Sequence, residues 1–146
     1  MESPYVSRAY RAFILVAGTY DMIVGLSLFF LYPILYFLMS ALDPSLAWCG
    51  NTSNEMAHLK MNGVFMFFVG MGYCFPYVNY EKFKFYIPVF GIGLRVWGGT
   101  FLVYTNLVWG LSFVYGIFGA VDLIFAVIFV YFLWGYRQKK LHIRNF

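Results

Sequence analysis

A chain of 146 residues that is 62% apolar and 11% charged lies far from soluble domains, in which about 25% of residues are charged. This excludes a soluble enzyme and leaves one integral membrane domain spanning 1–146. The net charge of +4 comes mainly from the C-terminal tail, where membrane topology and anionic lipid account for it, and no nucleic-acid partner is expected.

The apolar residues fall into four blocks, about 11–32, 57–77, 85–106 and 110–134, followed by a basic tail at 135–146. Each block is close to the roughly 20 residues that a helical span requires. They predict an all-α fold, a four-helix transmembrane bundle with antiparallel neighbours. Barrel strands would alternate apolar and polar residues, and these blocks do not. The first block is too long for the core of a cleaved signal, and no small-residue cleavage site follows it, so it is expected to remain as a span.

Beyond that block the apolar stretch continues to residue 42 and is divided by Pro33. Residues 33–42 are therefore expected to form a short helix along the interface or a shallow re-entrant one. The loop 43–56 is the one sizeable extramembrane piece, and Trp48 within it suits interfacial depth. Asn51-Thr52-Ser53 has the form of a glycosylation sequon, a match that arises easily by chance. Cys49 in this loop and Cys74 at the far end of the second block fall on opposite sides, so no disulfide is expected between them. The connection between blocks three and four, near Thr105-Asn106, is short enough to make those helices neighbours.

Basic residues orient the spans. Arg8, Arg11, Lys82, Lys84, Arg137, Lys139, Lys140 and Arg144 are eight of the ten Lys and Arg, and in a four-span topology all eight share one side. The positive-inside rule puts that side, with both termini, in the cytoplasm.

Small residues recur at a spacing of seven: Gly18 and Gly25, Gly63 and Gly70, Gly91 and Gly98, Gly119 and Ala126. Seven residues make two helical turns, so each pair forms a strip along which helix backbones can approach closely in lipid. Three ionisable residues lie on these strips: Asp21 between Gly18 and Gly25, Arg95 between Gly91 and Gly98, and Asp122 between Gly119 and Ala126. Steps of three and four keep them on the packing face. Each lies about ten to twelve residues, or roughly 15–18 Å, from the basic end of its helix, near mid-membrane. A charge there costs a few kcal/mol unless it is paired. Arg95 is expected to bridge one or both acids.

That cluster reads first as a structural network fixing helix register, and secondly as a polar cavity for a quinone head group, a lipid or a proton. A secondary polar group, His58, Lys60 and Asn62, lies near the opposite end of the second block. His58 and Asn62 share a face, and Lys60 is free to snorkel outward. His58 is not expected to ligate haem or metal, because His142 lies beyond the other membrane face and no His/Cys cluster has metal spacing. GIGLRVWGG (91–99) lies inside an apolar span with no strand before it, and so reads as helix packing rather than a dinucleotide loop.

The ordered set of the Gly25 to Pro33 stretch, MNGVFMFFVGMGY (61–73), IPVFGIGLRVWGGTFLV (87–103) and VDLIFAVIFVYFL (121–133) resembles the DoxX-like small four-helix membrane proteins, most of all an uncharacterised bacterial branch. Val121 stands where that branch tends to carry Asn, and Arg95 where Lys is commoner. The resemblance implies a bacterial inner-membrane protein, and its named members include a subunit associated with a thiosulfate:quinone oxidoreductase. The expected role is thus a small accessory subunit of a larger membrane assembly, of electron-transfer type. No nucleophile triad or phosphate loop is present, and the reading leans away from an enzyme. Other membrane subunits or copies of the chain are the expected partners, alongside lipid. The alternatives are a quinone- or lipid-binding protein using Asp21, Arg95 and Asp122, and thirdly a small-solute transporter or channel formed as an oligomer. No motif specifies a cofactor.

Overall fold

A computed structural model describes residues 6–42, 53–110 and 113–144. Trp48, Cys49 and Asn51 lie outside them. All elements of the described residues are helical: α1 (Arg8–Phe30), α2 (Tyr32–Leu42), α3 (Ser53–Gly72), α4 (Cys74–Val78), α5 (Tyr80–Phe83), a π-helical segment (Ile87–Leu94), α6 (Arg95–Trp109) and α7 (Phe113–Arg144). Among the described residues four stretches are long and apolar enough to cross a membrane: Arg8–Phe30, Lys60–Val78, Ile87–Trp109 and Phe113–Gln138.

Local chemistry sets the boundaries. The Ser7 hydroxyl accepts from the Tyr10 N–H at 3.1 Å and caps α1. The first apolar stretch breaks at Leu31, just ahead of Pro33, which lacks an N–H and disfavours helical backbone before it. The second block, expected as one helix, is interrupted at Tyr73. Pro76 has no N–H to offer the Gly72 carbonyl, and the Tyr73 N–H turns to the Gly70 carbonyl at 3.2 Å. The turn before α7 lies beyond the expected Thr105-Asn106, since α6 continues to Trp109. It falls at Gly110, whose φ of 66° is a left-handed cap that glycine adopts without strain. Residues 135–144, expected as a tail, extend α7 to 32 residues. At 1.5 Å per residue that is roughly 48 Å, well beyond a hydrocarbon core of about 30 Å.

Backbones approach closely in two pairs, α1 with α3 and α6 with α7. The contacts fall on glycines. A methyl on Gly25 would sit 2.6 Å from the Gly63 carbonyl oxygen and 2.6 Å from the Phe67 nitrogen, and one on Gly70 would sit 2.6 Å from the Gly18 oxygen. Gly119 meets Gly99 in the same way, at 2.6 Å. Ala126 is buried on the same face of α7, and Gly91 supports the ring of Phe129.

Gly98 is a correction: a methyl there would meet nothing within 4 Å, and Gly99 makes the contact instead. At 3.6 residues per turn, Gly98 returns to the face of Gly91 while Gly99 drifts roughly 80° from it. The i→i+5 bonds of the π segment hold more residues per turn. The buried face therefore recurs at every fourth residue, Ile87, Gly91, Arg95 and Gly99.

Between the two pairs, aromatic rings fill the space. Phe13 on α1 packs on Phe125, Phe129 and Phe132 of α7, with centroids 5.3, 4.8 and 5.7 Å away. Tyr10 stacks on Phe132 at 5.0 Å, and Tyr73 on Phe129 at 5.7 Å. Part of the 24% aromatic content is thus an internal layer. The outer surface stays apolar, with Phe30, Trp97, Leu107 and Val127 all exposed.

Candidate functional site

The structure brings Asp21, Arg95 and Asp122 together from α1, α6 and α7. Arg95 Nη2 donates to both carboxylate oxygens of Asp21 at 2.7 Å, and Nη1 donates to Asp122 Oδ1 at 2.5 Å. Arg95 is thus paired within its own helix pair through Asp122 and across to the other pair through Asp21. The side chains of Arg95 and Asp21 are 4% and 3% exposed, and that of Asp122 is 18% exposed. Water therefore screens the Asp21 link little, and burial of both partners costs solvation that the pairing must offset.

Aromatic groups complete the shell. The guanidinium carbon lies 4.8 Å from the Phe125 centroid and 5.9 Å from that of Tyr20, and these rings stack on each other at 5.3 Å. Such cation–π contacts offset part of the desolvation of the arginine. The buried Tyr73 hydroxyl also interacts electrostatically with Arg95. Neither this hydroxyl nor Arg95 Nε makes a hydrogen bond among the described residues.

The sequence reading did not single out Tyr20, Tyr73 and Phe125. A signal existed for two of them: Tyr73 lies one turn beyond Gly70 on the small-residue face, and Phe125 one turn beyond Asp122. Tyr20 had none, since neighbours in sequence do not share a helical face.

Two members of the secondary polar group have described side chains. Asn62 is exposed, Lys60 edges an apolar furrow, and the side chain of His58 lies outside the described ones.

Three further ties lie toward the basic end. The Tyr86 hydroxyl donates to the Val69 carbonyl at 2.6 Å, taking the acceptor that Tyr73 gives up where α3 breaks. The hydroxyls of Tyr10 and Tyr80 share a hydrogen bond at 3.0 Å, and Tyr136 donates to Glu81 at 2.6 Å. Burial raises the pKa of Tyr80 and of Tyr86 above the ordinary tyrosine value, so both remain protonated at neutral pH. Tyr86→Phe is expected to cost about 1–2 kcal/mol, because the Val69 carbonyl loses its donor in an apolar setting. Thermal unfolding in detergent, followed by circular dichroism, measures that loss.

Chemically, the cluster holds one guanidinium between two carboxyl groups, with both terminal guanidinium nitrogens engaged. No family model matches the chain, and no curated protein or solved structure is significantly similar to it.

Proposed function

We propose that this chain is a small, non-enzymatic accessory subunit of a larger membrane assembly. Its four spans form an antiparallel bundle with both termini and the 78–84 loop in the cytoplasm, in a bacterial inner membrane. The single observation that carries the reading is the cluster itself: Arg95 gives both terminal nitrogens to carboxylates and joins the two helix pairs. A charge network so closely paired holds helices in register. The broad apolar exterior suits contact with lipid and with other subunits. An electron-transfer complex is the class of assembly suggested by the DoxX-like motifs, and that suggestion rests on the motifs alone.

The test is native mass spectrometry of the protein extracted from its own membrane in mild detergent. Recovery within a stoichiometric complex is the expected result, and the partners then name the process served. Recovery as a lone chain or homo-oligomer carrying a defined small mass would overturn the reading. It would favour a second one, in which a quinone or lipid head group binds at the cluster. One observation supports that alternative: Tyr73 Oη and Arg95 Nε are buried beside the same charges and interact with each other without a well-formed hydrogen bond.

A further inference from the structure

The furrow beside Lys60 is separate from the charge cluster and carries a different chemistry. Lys60, Met61, Val64, Phe65 and Phe68 line it from α3, and Phe29 borders it from α1, in an open surface furrow of about 420 Å³. The α3 residues recur at intervals of four, 60 with 64 and 68, and 61 with 65, so they form one continuous helix face. Lys60 begins the span Lys60–Val78, and Phe68 lies eight residues further in. Eight residues cover roughly 12 Å, most of the depth of one leaflet's hydrocarbon.

Lys60 and Phe68 therefore sit at two levels. A lysine at the end of a span can bury its stem along the apolar surface and hold its ammonium at the polar boundary. The phenylalanines and Val64 form an apolar slot beneath it. The remaining basic residues outside the cluster, Arg8, Arg11, Lys82, Lys84, Arg137 and those after it, lie at the other ends of their spans. Among the described residues Lys60 is thus the one lysine or arginine at this end of the spans, and it lies at the edge of the apolar furrow.

We propose that this furrow binds one anionic phospholipid of the leaflet opposite the basic end, with its phosphate at Lys60 and an acyl chain along Val64, Phe65 and Phe68. Charge complementarity selects the lipid. A phosphatidylglycerol head presents a net negative charge to the ammonium, whereas a phosphatidylcholine head brings its own cation to the same place. A lysine near a membrane surface contributes about 1 kcal/mol toward anionic lipid, equivalent to about a fivefold preference.

The test is titration of the full-length, delipidated protein in detergent with phosphatidylglycerol and phosphatidylcholine of matched chains, with bound lipid counted by native mass spectrometry. The wild type is expected to retain phosphatidylglycerol about fivefold more strongly. Lys60→Gln should erase that preference while keeping acyl binding, and Lys60→Arg should keep both. Val64→Trp should fill the trough and reduce retention of both lipids. Equal retention of the two lipids by the wild type would overturn the proposal. So would a preference that survives Lys60→Gln, since the anionic lipid would then reside on the basic residues at the other end.

Discussion

Arg95→Met is expected to destabilise the protein by about 3–5 kcal/mol, the usual cost of removing one partner from a buried ion-pair network. The guanidinium satisfies two acids at once, so its removal leaves two carboxylates unmatched, and either Asp21→Asn or Asp122→Asn alone should cost less. Unfolding titrations with SDS in mixed micelles rank the three variants. The informative comparison is the triple variant Asp21→Leu/Arg95→Met/Asp122→Leu. Buried ion pairs replaced by apolar groups of similar volume are often neutral or stabilising, so the triple variant should recover most of what Arg95→Met loses. If it remains as unstable as the single variant, the cluster is not a register clasp. If it folds and assembles normally but loses a redox or ligand-binding activity, the site reading gains and the accessory reading falls.

The second large effect contrasts two glycines. Gly25→Ala is expected to cost about 3 kcal/mol, the upper end of the range for overpacking, because its methyl would meet backbone atoms of α3 at 2.6 Å and backbone cannot rotate aside. Gly98→Ala adds a methyl to open space and should be neutral or stabilising by up to about 1 kcal/mol through helix propensity. The two substitutions are chemically identical, so the unfolding assay isolates the seam. Equal effects would mean that α1 and α3 are not held together at these glycines.

The spans were legible in the sequence because the length and apolarity of a membrane helix are composition-level signals. The strips on α1 and α3 were legible for a related reason: regular α-helix makes spacing a reliable guide to facing, so Gly18 with Gly25 and Gly63 with Gly70 could each be placed on one packing strip, though not that the two strips meet. The same rule misassigned Gly98, because it presumes 3.6 residues per turn and Ile87–Leu94 are wound differently. Pro88 and the glycines at 91 and 93 were visible, but a change in hydrogen-bond step leaves no periodic signature in eight residues. Asp21, Arg95 and Asp122 could be placed at a common depth, but that Arg95 reaches both acids is a matter of tertiary geometry. The aromatic layer was hidden for a different reason: composition counts rings without telling those facing lipid from those stacked inside.

The division into two helix pairs also bears on how the protein is made. Asp122 lies 27 positions from Arg95 and Asp21 lies 74, so the ribosome delivers the two acids on opposite sides of the arginine in time. The α1–α3 hairpin is synthesised first and holds Asp21 on its inner face with no cation yet in the bilayer. Arg95 then arrives, and Asp122 follows on the very next span, close enough to match it before the hairpins meet. An unaccompanied arginine at the centre of a span carries an insertion cost of about 2.5–3.5 kcal/mol. Pairing with Asp122 on the next span is expected to lower this cost during membrane integration, leaving the Asp21 link as the one that ties the second hairpin to the first.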